Sequence, residues 1–322
     1  MRPSLVYSAF AIFFGVSAAV QLRRYPLAVP ALAGIYLCLL LLVGLWLLPA
    51  FLHLRERARA RFAGLRGALV AWALLLTPYC LYSLGTGDFS VLALARLAGM
   101  SCGPILIFAV FPVRSPRKLA WQDAVALVWL ATPVLARWLS GLWNVPVNLD
   151  FMARLYVVVV GAWSYLIFRG TEGAGYEARF SVGIARAAVV NLVLFSVIGI
   201  PLGLAMHFIA WSPHWQGAWQ FFFDCVTIFV FIAVPEELFF RGLLQNLLEG
   251  SFGSRHGAQA VASVLFGFMH ILHGFPNWRY VLMASIAGWF YGSAWRSTRS
   301  LVASGVSHAL VDAIWRTWFE AQ

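Results

Sequence analysis

Long apolar runs alternate with short polar breaks along this chain, and the runs are of membrane-crossing length. A spanning helix needs roughly 20 apolar residues. Segments near that length lie at 4–22, 28–54, 67–84, 89–112, 119–140, 152–168, 184–211, 219–248, 257–274, 277–296 and 299–318. Several are short or carry a polar residue, so the pattern predicts about eight to eleven spans. No period-two alternation of the kind a transmembrane barrel needs runs through them. The expected fold class is all-α, a polytopic transmembrane helix bundle.

Composition strengthens that reading. Of 322 residues, 62% are hydrophobic and 11% charged, whereas a soluble domain is about half apolar and a quarter charged. A water-soluble globule cannot hide so much apolar surface, because its area grows nearly as fast as its mass. A soluble enzyme, a disordered chain and a disulfide scaffold are excluded. Cys38, Cys80, Cys102 and Cys225 each sit in an apolar run without a CxxC pair, and read as buried small hydrophobes.

Net charge is +11, but the positive residues do not form the basic face that nucleic acid requires. They fall in short runs between apolar segments, as the positive-inside bias demands. Arg55–Arg66, Arg114–Lys118 and Arg296–Arg299 are basic, while the loops near Asp88 and Asp150 carry acid. Placing the basic loops in the cytosol gives a consistent arrangement of about eleven spans with a cytosolic N-terminus. Arg23–Arg24 is the exception, falling outside. Arg2 followed by Leu5–Val20 has the form of a signal peptide cleaved after Ala18–Ala19. The next apolar run, Ala28–Leu54, favours an uncleaved first span instead.

A boundary is expected in the polar, glycine-bearing stretch Gly170–Arg179, separating a multi-span region, 1–180, from a second region, 181–322. The first has little ionisable chemistry at membrane depth. Its exception is Arg96, which snorkels or pairs within the bundle. The second region carries three polar clusters on apolar segments, where ionisable side chains are costly and mark function by default.

The first cluster is Pro235-Glu236-Glu237 followed by Arg241 and Gly242. Glu237 and Arg241 have the i, i+4 spacing of an intrahelical ion pair, and Glu236 points about 100° away, toward a different environment. The bland alternative is a helix end snorkelling its charges, with Pro235 as a helix start. The second is Phe266 and His270, with His273 one turn on, just before Gly274 and Pro276 at the wet end of the segment. A lone histidine on an apolar helix is often a hydrogen-bonded core residue. The third is His308 and Asp312, at i, i+4 on one face of the last segment. The aspartate either fixes the imidazole tautomer or glues helices together as a satisfied pair.

In order and type, these motifs resemble the CPBP family of intramembrane proteases, which includes the CAAX prenyl endopeptidases and bacterial immunity-type proteins. The family pattern is EExxxR, then FxxxH, then HxxxN or HxxxD. Here it reads Glu236-Glu237…Arg241, Phe266…His270 and His308…Asp312. The stretch Ser285–Gly292, with Gly288 and Gly292 at i, i+4, is similar to the family's small-residue helix, in which glycines permit close helix approach. The resemblance covers about residues 185–318 and leaves the upstream half unexplained.

The resemblance implies a glutamate-dependent endopeptidase with no metal and no other cofactor, acting on a membrane-anchored protein or peptide within the lipid bilayer. Glu236 would be the base that activates water, assisted by His270. His308 and Asp312 would line the oxyanion side, and Glu237, Arg241 and Phe266 would support the site. Asp312 departs from the members that carry Asn. An ionised aspartate cannot donate a hydrogen bond, so the expectation is that Asp312 orients His308, the direct stabiliser.

A metal-site reading would use Glu236, His270, His308 and Asp312 as a zinc set, although there is no HExxH. Two other functions stay open. One is a non-proteolytic membrane interaction or immunity protein on the same fold. The other is a transporter, against which no paired or glycine-broken repeats are visible. An Arg-, Ala- and Leu-rich composition points to a GC-rich bacterial genome, hence an inner (cytoplasmic) membrane.

Overall fold

The computed structural model describes residues 2–22, 25, 27–143, 148–271, 273 and 277–322. Arg23–Arg24, Gly274 and Pro276 lie outside the described residues. The helices are α1 (Pro3–Leu22), α2 (Val29–Ala50), α3 (Leu52–Arg61), α4 (Gly64–Thr86), α5 (Val91–Val110), α6 (Trp121–Leu135) and α7 (Phe151–Phe168). They continue with α8 (Val182–Ala205), α9 (Ala218–Phe252), α10 (Arg255–Phe268), α11 (Trp278–Thr298) and α12 (Leu301–Trp318). Each of the apolar segments read from the sequence overlaps at least one of them. Among the described residues, six helices (α2, α4, α5, α7, α8 and α9) are long and apolar enough to cross a membrane. The protein is a multi-pass membrane helix bundle.

The chain divides into two compact units, Met1–Pro116 with Ala120–Thr171, and Arg117–Leu119 with Glu172–Gln322. In the first unit, α2 and α4 cross where Gly34 meets Gly85. A Cβ on Gly34 would lie 2.6 Å from the Gly85 Cα, so only glycine allows this approach. The basic run beginning at Arg55 folds as the short helix α3 instead of a loop. Arg59 on it donates to the Leu166 carbonyl at the end of α7, at 2.7 and 2.9 Å, and pairs with Glu56 at 2.8 Å.

The first unit also corrects the expectation of little ionisable chemistry. Asp123 and Arg169 form a fully buried ion pair. Asp123 caps α6 by accepting from the Ala120 N–H at 2.8 Å, and Arg169 donates to the Pro116 carbonyl at 3.0 Å. The Tyr165 hydroxyl donates to the Asp123 carbonyl at 2.8 Å. Arg96 donates to the Trp138 carbonyl at 3.3 Å. The four cysteines are free, with Cys38 buried but Cys80 exposed, so the buried-hydrophobe reading fails for Cys80.

In the second unit, polar caps set the helix starts. Ser181, Ser254, Asn277 and Ser300 accept from the backbone N–H groups of Ile184, Gly257, Tyr280 and Val302, satisfying donors that a helix leaves open. Small residues set how closely the helices pack. A Cβ on Gly267 of α10 would lie 2.4 Å from the Val281 carbonyl of α11. On α11, a Cβ at Gly292 would meet the Gln245 side chain at 2.8 Å.

One feature of this unit departs from a purely helical chain. The segment expected to run helically from 184 to 211 breaks after Ala205. His207 adopts a left-handed φ of 50°. The chain then forms β1 (Ile209–Trp211), which pairs antiparallel with β2 (Phe319–Ala321) and sets Ala210 opposite Glu320.

Candidate active site

The site is built on the middle of α9, where the helix widens in two separate stretches. Phe229–Ala233 and Leu238–Gln245 are π-helical, and the α-helical turn Val234–Glu237 between them carries both glutamates. Pro235 has no N–H to give, which removes one rung of the helical ladder. Widened turns of this kind recur at functional sites. Pro235 therefore does not start a helix. It sits inside a 35-residue one, and the glutamates are not a snorkelling end.

The two glutamates meet different environments, as their angular offset suggests. Glu237 has no exposed side-chain surface, whereas Glu236 retains 34% of its own. Glu237 is held from two sides. Its Oε2 lies 3.2 Å from Arg241 Nε, one turn on, and its Oε1 accepts from His308 Nδ1 at 3.0 Å.

Arg241 is likewise fully buried and donates through Nη2 to the Gly288 carbonyl at 2.8 Å. Its guanidinium lies 4.6 Å from the centre of the Phe266 ring, close enough for a cation–π attraction. A Cβ on Gly288 would lie 3.1 Å from that same nitrogen and from Phe266 Cδ1. The glycine is what lets α11 come up against the arginine.

A carboxylate can only accept, so a neutral His308 bonded to Glu237 carries its proton on Nδ1. Its other nitrogen, Nε2, lies 3.8 Å from Glu236 Oε2 and 3.7 Å from Asp312 Oδ2. The ring is packed flat against Tyr291, with centres 4.5 Å apart and planes 12° apart, and Phe266 meets it edge-on. The group that fixes the imidazole is thus Glu237. Asp312 was expected to orient it, but lies beyond hydrogen-bond reach of Nε2. The i, i+4 spacing on α12 does bring Asp312 to the histidine, yet on the side of the open nitrogen.

His270 lies just past the end of α10, against the other edge of Phe266. The ring centres are 4.9 Å apart. Its Nδ1 is 2.9 Å from the Phe266 carbonyl. A carbonyl also can only accept, so Nδ1 carries the proton and Nε2 keeps a lone pair. Phe266 therefore touches both histidines and the arginine at once. His273, placed by the sequence reading at the wet end of its segment, is exposed and stacks on His270 at 5.6 Å.

The structure gathers Glu236, Glu237, Arg241, Phe266, His308 and Asp312 into one cluster, with His270 joined to it through Phe266. Among the described residues, no three His, Cys, Asp or Glu side chains converge as a metal-ligand set. Two tyrosines were not singled out from the sequence. Tyr291 is buried against His308, and Tyr280 packs on His270 at 4.8 Å. Both sit on α11, one in the first turn and one before Gly292, and neither belongs to a spaced polar motif.

No curated protein and no solved structure gives a significant match to the chain. A family comparison does. Residues 217–314, which hold every member of the three motifs, match the family model described as type II CAAX prenyl endopeptidase Rce1-like.

Proposed function

We propose that residues 181–322 form a glutamic intramembrane endopeptidase that hydrolyses a peptide bond in a membrane-associated protein. The observation that carries this reading is the asymmetry of the glutamates. Glu237 is locked between Arg241 and His308, while Glu236 is partly exposed, with Oε2 3.8 Å from His308 Nε2. One acid is held from two sides, and the other keeps side-chain surface that water can reach.

The chemistry then runs as follows. Glu236 takes a proton from water, and the water oxygen forms a bond to the scissile carbonyl carbon. The lone pair on His270 Nε2 assists in holding that water. In this step His308 is the imidazolium, with Nδ1–H held by Glu237, and its Nε2–H donates to the carbonyl oxygen as that atom gains charge. The carbon–nitrogen bond breaks, and the leaving amine takes its proton from Glu236. No step requires a metal or another cofactor. Asp312 sits beside the His308 nitrogen and favours its protonated form through charge alone. Residues 1–180 form a separate membrane region, and the protein resides in a bacterial inner membrane with a membrane-anchored protein or peptide as its substrate.

The test is a comparison of membrane-protein termini in cells carrying the wild type, Glu236→Ala or His270→Ala. Termini present in the wild type should be absent from both variants, at equal membrane levels of the protein. A fully active Glu236→Gln variant would overturn the mechanism. A cellular phenotype that survives joint replacement of Glu236 and His270 would favour the non-proteolytic alternative.

A further inference from the structure

Three carboxylates, Glu236, Glu237 and Asp312, surround one imidazole. Any oxyanion forming here does so among negative groups, and ionised carboxylates offer it no donor. His308 Nε2 supplies one. We propose that Tyr280 supplies a second, its phenol hydroxyl donating a hydrogen bond to the scissile carbonyl oxygen as charge builds there. The proposal rests on the protease reading above and adds a catalytic residue to it.

The ring of Tyr280 is held on several sides. Its centre lies 4.8 Å from that of His270, 5.3 Å from His273, 5.3 Å from Phe208 and 5.5 Å from Trp315. These neighbours come from the end of α10, the approach to β1, and α12. Its own backbone N–H is tied to the Asn277 cap at the start of α11. A ring so enclosed has little freedom to move.

The hydroxyl is another matter. Among the described residues it makes no hydrogen bond, although tyrosine hydroxyls in packed surroundings normally find a partner. The ring lies against His270 and against Trp315, one turn beyond Asp312, which is one of the two carboxylates that face His308 Nε2. A donor with no protein acceptor, on a ring packed against His270, has the arrangement a developing oxyanion needs. Trp315, one turn beyond Asp312 on α12, links the two positions. In the reaction the phenol keeps its proton. The electron pair of the carbonyl double bond moves onto oxygen as the water oxygen bonds to carbon, and the hydroxyl shares its hydrogen with that oxygen.

The experiment uses the full-length protein in detergent and a synthetic peptide spanning a terminus that depends on Glu236 in cells. Tyr280→Phe keeps the ring and its four contacts but removes the donor. Loss of one such donor lowers the rate constant by about 100-fold or more, so that is the expected fall, with membrane yield and melting temperature unchanged. Tyr280→3-fluorotyrosine, which keeps both ring and hydroxyl, should retain cleavage to within about tenfold. Cleavage by Tyr280→Phe at the wild-type rate overturns the assignment. Equal inactivity of the two variants also overturns it, because the ring's packing would then be what matters. If no terminus depends on Glu236, the protease reading falls and the role of Tyr280 with it.

Discussion

Replacing Arg241 with methionine removes the cation but keeps an unbranched stem out to about the position of Nε. The change strips Glu237 of its nearest positive charge, at 3.2 Å, and the Gly288 carbonyl of its donor at 2.8 Å. It also takes the guanidinium off the Phe266 ring. Two scales compete for the magnitude. Polar contacts between membrane helices average about 0.6 kcal/mol, because the unfolded chain in the membrane finds other partners. Removing one member of a buried ion pair costs about 3–5 kcal/mol, because the other charge is left uncompensated.

The second scale applies here, since Glu237 has no exposed surface and its one remaining partner is a histidine. Arg241→Met is therefore expected to destabilise the protein by about 3–5 kcal/mol. The double variant Glu237→Gln with Arg241→Met leaves no stranded charge, and its loss should be at least about 2 kcal/mol smaller than the sum of the single losses. Reversible unfolding by SDS in mixed micelles, followed by tryptophan fluorescence, measures all three. A single-variant loss below about 1 kcal/mol, or simple additivity in the double, would show that the pair is not the buried strut described.

The helix contacts and the chemistry can be tested separately. Gly267→Ala would place a Cβ 2.4 Å from the Val281 carbonyl. It should cost about 3 kcal/mol, at the upper end of overpacking losses, because backbone must move. Gly183→Ala, whose nearest neighbour would be 3.7 Å away, should be neutral or stabilising by up to about 1 kcal/mol in the same unfolding assay. Since the acids and histidines do not converge as a metal-ligand set among the described residues, Glu236-dependent cleavage should be unchanged in strong chelator. A loss restored by one added divalent ion would require a different mechanism.

Hydrophobic length made the helices legible. Each apolar run marks a helix because a chain in lipid must satisfy its backbone within the segment. What the runs concealed is how helices end and change their winding. Val182–Trp211 is apolar nearly throughout, yet it breaks after Ala205 and leads into the strand at Ile209. Partnership with Phe319–Ala321, more than a hundred residues away, is what gives that strand its ladder. The π-helical turns around Val234–Glu237 are equally silent in the sequence, apart from the missing N–H of Pro235. The pair Asp123–Arg169 was missed because its members stand at the ends of segments. Charges there read as loop residues until the fold buries them.

The site divides along the same line, between contacts within one helix and contacts across helices. Glu237 with Arg241, and His308 near Asp312, follow from i, i+4 spacing alone, because one helix fixes both members. The hydrogen bond that orients His308 spans α9 and α12 and has no spacing to announce it. Spacing therefore gave the imidazole the wrong orienting partner. It found the acid on the histidine's own helix, whereas Nδ1 is held by an acid that already carries an arginine. That geometry alters the chemistry open to Asp312. Since Glu237 binds Nδ1, Asp312 can act on His308 only at Nε2, the nitrogen that must face the reacting oxygen. An aspartate at that position helps by charge as long as it leaves the proton on Nε2 free, and its 3.7 Å separation, too long for a hydrogen bond, is what permits this.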